Sequence, residues 1–464
     1  MLKWLTKTAA ETEFGKAHDF RAIQTPQDFQ ARVPLRSYES FRPYVERALK
    51  GQPDVLWPGQ PLYFCESSGT TSGTKYIPIT KHSIAKQVQG ARDALLCYIE
   101  ASRRPQFLAG KMAFVSGTPV LRQNDAGMKI GRLSGLVNHY VPNYLQRNRV
   151  PTMATNSIPD WAEKVRSIVR EAKAEDLRLI SGIPPWVQML LEEAQERTRK
   201  RPAELWPNLQ VYVHGGVDFR PYEAIMHQAV GRKLDFVETY PASEGFIAFQ
   251  DNFREDGLLL LLDSGLFYEF VPLEDYGKPD ARRLTLDQVE VGPNYAILLS
   301  TSAGLYGYEI GDTVRFTSLN PFKLRVSGRT GHFISAFGEH VIQDEVNTAM
   351  LEALETAGGE VNEFTVAPFI REDGSYHEWF VEFTRLPSDL PAFQRALDTA
   401  MRRQNIYYEH LRGGGMLNEA AVRPVNMNAS RRYMESIGKL GGQNKFPRLK
   451  NNRDIADYMA RERV

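Results

Sequence analysis

The sequence predicts an α/β protein: a large amino-terminal domain with mostly parallel sheets flanked by helices, followed by a small α+β domain. Three observations carry this. Short apolar runs alternate with helical patterns through the middle of the chain, as expected for strands covered on both faces. After about residue 327 the order changes to helix, two strands, helix, strand. The 464 residues also exceed what one ordinary core encloses, so two or three domains are expected.

Each element has its own reason. PQDFQARVPLRSYESFRPYVERALKG spaces its apolar residues as helices do, with proline interruptions. WAEKVRSIVREAKAE reads as a helix, LRLISG as a short buried strand, and VQMLLEEAQERTRK as a helix with one apolar face. LQVYVHGG is a strand running into Gly215 and Gly216, and LDFVETY a strand running into a polar loop. Open sheets of this kind bind ligands at the carboxyl ends of their strands. Gly215–Gly216 and Tyr240–Glu244 fall at such ends. GLLLLLDSGLFYEFVPL is interrupted by Asp263 and Ser264, so it reads as two strands and a turn rather than a membrane span.

Further on, DEVNTAMLEALETA is helical, EFTVAPFI and HEWFVEFT are strands joined by EDGSY, PAFQRALDTAMRRQNIYYEHL is a helix and AAVRPV a strand. This is a compact unit with a split βαβ character. The expected domains are 1–327 and 328–464, with the glycine-containing VSGRTGHF as a hinge.

Charge narrows the function. Lys plus Arg is 57 and Asp plus Glu is 56, so no global field draws the chain to nucleic acid or an anionic membrane. The basic run from Arg431 to Arg453 is broken by acidic residues and glycines and lacks an aromatic stacking platform. Two cysteines, Cys65 and Cys97, are too few for a disulfide framework or a metal-ligand cluster. The amino terminus has no apolar stretch of signal-peptide length. A cytoplasmic setting is expected.

Four segments carry chemistry. Ser67-Ser68-Gly69-Thr70-Thr71-Ser72-Gly73-Thr74-Lys75 can turn on its glycines and offer amides and hydroxyls to a phosphate. Its spacing is not that of a Walker A loop. Glu238-Thr239-Tyr240-Pro241-Ala242-Ser243-Glu244-Gly245 brings an aromatic ring suited to a purine face and a carboxylate suited to magnesium out of one strand end. Gly311-Asp312-Thr313 offers a carboxylate to ribose hydroxyls. Gly441-Gly442-Gln443-Asn444-Lys445-Phe446-Pro447 sets a lysine between a flexible pair and a rigid ring, where it can reach a distant phosphate. Taken singly, the four also fit a surface loop, a strand-end loop, a tight turn and a solvated lysine near a frayed terminus.

Together and in this order they resemble the adenylate-forming superfamily of acyl-CoA ligases and adenylation domains. They are most similar to the Gretchen Hagen (auxin-responsive promoter) family of acyl-acid amido synthetases. SSGTTSGTKYIP, TYPASEG and GLYGYEIGDTVRF resemble that family's motifs. ISGIPPWVQMLLE, WPNLQVYVHGG, GRTGHFISAFGEHV and GGQNKFPRL are similar to bacterial members. The likeness runs from about residue 13 to near the carboxyl end. It implies that Ser67, Ser68, Gly69, Thr70, Thr71, Ser72 and Gly73 hold the ATP phosphates. Gly215, Gly216 and Val217 would flank the adenine, Tyr240 stack on it, and Ser243 belong to the same nucleotide site. Glu244 would hold Mg2+. Asp312 would bind the ribose with help from Arg329, and catalytic Lys445 would contact the α-phosphate from a mobile small domain. Pro241, Gly307 and Glu309 depart from the family's usual residues, next to the acyl pocket.

The implied reaction activates a carboxylic acid as its adenylate and passes the acyl group to an amine, such as an amino acid. An acyl-CoA ligase and a non-catalytic nucleotide or acid sensor are the alternatives. Trp186, Tyr306, Phe337 and Phe114–Thr118 are candidates for the acyl pocket, and each also fits core packing.

Overall fold

The computed structural model describes residues 1–464 except 69–73, 141–146, 217–218, 254, 279, 331–332, 335, 337–338, 340, 371–374, 414–415 and 441–444. At some further positions, Ser67 and Ser68 among them, only the backbone is described. The chain divides into two compact units. One comprises Met1–Ile310 and Val314–Arg325, and the other Gly311–Thr313 and Val326–Val464.

The first unit begins with helices. Thr25 caps Pro26–Arg32 through a capping box, its hydroxyl accepting from the Asp28 N–H while Asp28 accepts from the Thr25 N–H. Tyr38–Leu49 follows, with Pro43 inside it. Phe14, Phe20 and Phe41 pack with Tyr306 in a buried aromatic cluster, ring centroids about 5–6 Å apart. Tyr306 is therefore core and not pocket lining, and its hydroxyl is satisfied by the Leu56 carbonyl at 3.1 Å.

An 11-stranded sheet organises the rest of this unit. One half is parallel, in spatial order Arg149–Val150, Lys111–Phe114, Leu177–Ser181, Val211–Gly215 and Asp235–Pro241. The crossovers contain the helices Trp161–Ala172, Pro184–Thr198 and Arg220–Val230, because parallel neighbours need a long connection. Val165, Ile168, Val169, Val187, Leu190 and Leu191 on these helices pack at helical spacing against Trp206 and Tyr212. The other half is not parallel as expected. Phe246–Phe249 turns back on Asp235–Pro241, and Leu258–Leu260 turns back again. Their connections are too short for a crossover. The two leucine-rich strands predicted in sequence, Leu258–Leu260 and Leu266–Pro272, both form, but three other strands lie between them in the sheet. A separate four-stranded sheet carries Tyr63–Ser68 antiparallel to Thr74–Ile79.

The second unit is the predicted α+β arrangement. Glu360–Phe369 pairs antiparallel with Tyr376–Arg385, which pairs parallel with Ala421–Pro424. Helices Gln343–Ala357 and Leu390–Gln404 pack on the core with Phe364, Trp379, Val381 and Phe393. The single helix expected over 391–411 is two. Asn405 ends Leu390–Gln404 with an extended backbone, and its side chain accepts from the Tyr408 N–H at 2.8 Å, starting Ile406–Gly413. No helix among the described residues is long and apolar enough to cross a membrane.

Candidate functional site

In the first unit the two ends of the hydroxyl-rich segment lie in paired antiparallel strands, Tyr63–Ser68 and Thr74–Ile79. Ser67 faces Lys75 and Ser68 faces Thr74 across this pair, so both serines lie in strand rather than loop. Gly69, Thr70, Thr71, Ser72 and Gly73 lie outside the described residues. The strand pair is held by the Tyr38 hydroxyl, which accepts from the Tyr76 N–H at 2.7 Å, while the Lys75 ammonium sits 5.7 Å from the Tyr38 ring centre.

Two parallel strands end where the sequence placed ligand residues. Gly215 closes Val211–Gly215, and a Cβ there would lie 2.2 Å from the Thr239 carbonyl oxygen. Only glycine lets these two strand ends approach so closely. Gly216 follows with φ +81°. Val217 lies outside the described residues. The Thr239 hydroxyl donates to the His214 carbonyl at 2.9 Å and ties the pair together. Tyr240 is buried, at 7% exposed.

Ser243 and Glu244 form the tip of a tight turn. Ala242 and Gly245 exchange backbone hydrogen bonds of 2.9 and 3.2 Å, and Gln87 donates to the Ala242 carbonyl at 2.6 Å. Glu244 is buried. The Cys65 thiol, two residues before Ser67, lies 3.3 Å from the Ser243 hydroxyl. Burial pushes that thiol up to about 12, and the nearby Glu244 carboxylate adds to the shift while the Ser243 hydroxyl opposes it. The Tyr63–Ser68 strand and the Ser243–Glu244 turn therefore meet. Among the described residues no three His, Cys, Asp or Glu side chains gather as a metal cage. One buried carboxylate fits magnesium, which commonly takes one or two carboxylates and completes its shell with phosphates and water.

In the second unit three predicted residues come together. Asp312 lies within the long Tyr308–Leu319 strand, not in a tight turn, with Gly311 before it at φ +88°. The Arg329 Nε donates to its carboxylate at 2.8 Å. The Thr330 N–H donates to the Gly311 carbonyl at 2.9 Å and holds the two segments in register. Lys445 joins this pair electrostatically. Its side chain keeps solvent access, yet protein packed around its ammonium lowers the pKa to about 8; Arg329 lowers it further and Asp312 opposes.

Lys445 does not sit on a frayed end. Residues just after it are stitched to the Glu360–Phe369 strand: the Thr365 hydroxyl donates to the Pro447 carbonyl at 2.9 Å, the Val366 N–H to the Arg448 carbonyl at 2.9 Å, and the Lys450 N–H to the Val366 carbonyl at 3.1 Å. Arg448 is itself buried, its Nε 2.5 Å from the Glu363 carboxylate. Sequence reasoning missed this anchor, because nothing local pairs Arg448 with a glutamate 85 positions away.

It also missed Lys164. This lysine is 2% exposed and donates to the Ser116 carbonyl at 2.7 Å, beside the Trp161 ring. Burial lowers its pKa to about 8. Ser116 belongs to the Phe114–Thr118 segment at the end of a parallel strand, and Asn156 donates to its hydroxyl at 3.1 Å. Trp186 is core, packed 4.7 Å from Trp161. Phe337 lies outside the described residues.

Comparison with known proteins follows this geometry. The indole-3-acetic acid-amido synthetase GH3.10 of Arabidopsis thaliana is 22% identical, covering 99% of this chain and 91% of that protein. A solved structure described as AtGH3.15 acyl acid amido synthetase in complex with 2,4-DB superposes with a TM-score of 0.80 at 16% identity, covering 100% of this chain and 92% of that one. A 2-hydroxyisobutyryl-CoA ligase, solved in the postadenylation state with R3-HIB-AMP, superposes with a TM-score of 0.62 at 15% identity, covering 99% of this chain and 90% of that one. These structural likenesses show a shared fold. Three family models match well over half of the sequence: the GH3 family N-terminal domain over residues 1–165, the central domain over 259–329 and the C-terminal domain over 344–454. The chain belongs to the GH3 family.

Proposed function

We propose that this protein is an AMP-forming acyl-acid amido synthetase, which activates a small carboxylic acid with ATP and transfers the acyl group to an amine, an amino acid being the favoured acceptor. One observation carries the assignment of a nucleotide site. Asp312, Arg329 and Lys445, which come from well-separated segments and which the motifs assign to one nucleotide, gather in one place. A protein built only to bind an acid has no need of that combination.

A carboxylate is a poor acyl donor because its leaving group is poor. In the first step a carboxylate oxygen of the acid attacks the α-phosphorus of ATP and pyrophosphate leaves. Negative charge builds on the phosphate oxygens, so catalysis depends on fixed donors and cations. The amides and hydroxyls of Ser67–Gly73 are assigned to the phosphates. Gly215, Gly216, Val217 and Tyr240 are assigned to the adenine, with Ser243 bracing the turn beside it. Asp312 accepts from the ribose hydroxyls, with Arg329 fixing its carboxylate. Lys445 supplies a positive charge to the α-phosphate. When bound at Glu244, magnesium supplies further charge neutralisation of the phosphates. In the second step the amine attacks the acyl carbonyl and AMP leaves. The small unit, 328–464 by sequence, is proposed to move between the two steps. The cytoplasm suits both free cysteines, which stay reduced there.

The test is acid-dependent exchange of labelled pyrophosphate into ATP over a panel of aryl and alkyl acids. Mass spectrometry follows, with hydroxylamine, coenzyme A or pooled amino acids as acceptor. An amide of a pooled amino acid is expected. A thioester alone would instead make the protein a CoA ligase, and ATP binding without exchange would make it a sensor.

A further inference from the structure

The strands Leu177–Ser181, Val211–Gly215 and Asp235–Pro241 direct their carboxyl ends to Gly215, Tyr240 and Glu244. Their amino ends open on a different cleft of about 420 Å³, lined by Arg104, Arg178, Arg232 and Lys233. Its volume falls in the roughly 300–1,000 Å³ range of small-molecule sites. Strands of five to seven residues separate the two ends by roughly 15–20 Å.

The cleft carries uncompensated positive charge. Asp235 pairs with Arg104 at 2.8 Å and Asp176 with Arg178 at 2.7 Å. The other two cations have no carboxylate among the described residues. Arg232 donates to the main-chain carbonyls of Pro207, at 2.6 Å, and of Leu209 and Trp206. Lys233 is exposed and makes no hydrogen bond or ion pair with the described residues. Arg232 also faces Arg104: burial first, and then that like charge, lower its pKa.

One alternative is that Arg232 and Lys233 only answer the carboxyl end of the Arg220–Val230 helix, which attracts cations. The hydrogen bonds speak against it. Gly231 closes that helix in a left-handed conformation with its N–H on the His227 carbonyl at 2.9 Å. The Arg232 guanidinium bonds the Trp206–Leu209 segment on the cleft wall instead.

We propose that this cleft is a second ligand site, which binds a small molecule through a phosphate or diphosphate group. The Arg178 and Arg232 guanidinium groups are bonded to Asp176 and to main-chain carbonyls and contribute positive field, while the exposed Arg104 guanidinium, bonded to Asp235 through Nη1, and the exposed Lys233 ammonium can donate to phosphate oxygens. Isothermal titration calorimetry with inorganic pyrophosphate, without ATP or magnesium and at constant ionic strength, tests this. Pyrophosphate also belongs to the proposed reaction, so the variants separate the two sites. Binding is expected to survive in a Lys445→Ala, Asp312→Ala double variant and to weaken at least fivefold in Lys233→Glu. Acid-dependent exchange by Lys233→Glu is expected to stay at the wild-type level. Lys233 has no partner to lose among the described residues, so the variant should fold; Arg104→Gln is the second variant. Unaltered affinity in both cleft variants overturns the proposal, as does loss of binding in the double variant alone. Inorganic phosphate reports whether a single group suffices: binding of either anion at the cleft supports the site, and binding of neither overturns it.

Discussion

The Cys65 thiol and the Ser243 hydroxyl lie 3.3 Å apart, although 178 positions separate them in the chain. This contact joins the strand that enters the hydroxyl-rich segment to the turn that carries Glu244. Burial, against the opposing pull of that hydroxyl, sets the reactivity of the thiol. Cys65 is buried and its pKa is pushed up to about 12, so almost no thiolate exists at pH 8. Cys97 is partly exposed and its pKa is raised as well. Iodoacetamide at pH 8 should modify Cys97 in the native protein and leave Cys65 intact, as read by peptide mass spectrometry. Cys65→Ala should cost about 1 kcal/mol of stability and raise the KM for ATP.

Lys445 offers a pH test. Its pKa is lowered to about 8, so the cation is present below that pH and lost above it. Acid-dependent pyrophosphate exchange should therefore fall as pH rises through about 8, where an ordinary lysine would remain charged. Lys445→Arg should remove that limb, because a guanidinium stays protonated. Lys445→Ala should keep ATP binding and lose roughly a hundredfold or more in rate. A wild-type exchange rate in the alanine variant would refute the assignment.

The anchor behind Lys445 should be separable from its charge. Arg448→Met takes the guanidinium away from the buried Glu363 carboxylate, and breaking a buried ion pair from one side commonly costs about 3–5 kcal/mol. Chemical unfolding should show that loss, and the Arg448→Met, Glu363→Met pair should recover much of it. Exchange activity should remain impaired in Arg448→Met under conditions where the variant is still folded, because the segment that presents Lys445 is no longer held.

Lys164 makes the opposite stability prediction. Its pKa is lowered to about 8, so burying the charged form opposes folding, by roughly 3 kcal/mol at pH 7. That penalty is complete below pH 8 and disappears as pH rises from about 8 towards the unfolded value near 10.5. Lys164→Met removes the penalty but also the hydrogen bond to the Ser116 carbonyl, at about 1–3 kcal/mol. The variant should lie within about 2 kcal/mol of wild type at pH 7 and compare less favourably at pH 10. Denaturant unfolding at both values checks the sign.

The segments proposed to carry the chemistry stand out in sequence because short motifs mark them. Glycines beside a hydroxyl run, Tyr240 and Glu244 at a strand end, and Lys445 between Gly-Gly and Pro each constrain the backbone locally. The alternating strands and helices up to Pro241, and the helix–strand–strand–helix–strand order after about residue 327, follow from apolar periodicity, which is also local. What followed Pro241 was less legible. Apolar runs identify strands, but which strands become neighbours depends on the length and course of their connections, so the antiparallel half of the sheet and the separation of its two leucine-rich strands were not foreseen.

Tertiary structure alone decided the rest. Asp312 sits in a strand because the Arg329–Thr330 segment holds it there, and Tyr306 is core because Phe14 and Phe20 close over it. Lys445 is presented rather than frayed because Arg448 finds Glu363 across the fold. Burial and long-range pairing move a pKa or anchor a segment only once distant residues share a space, and a linear pattern carries no record of that distance.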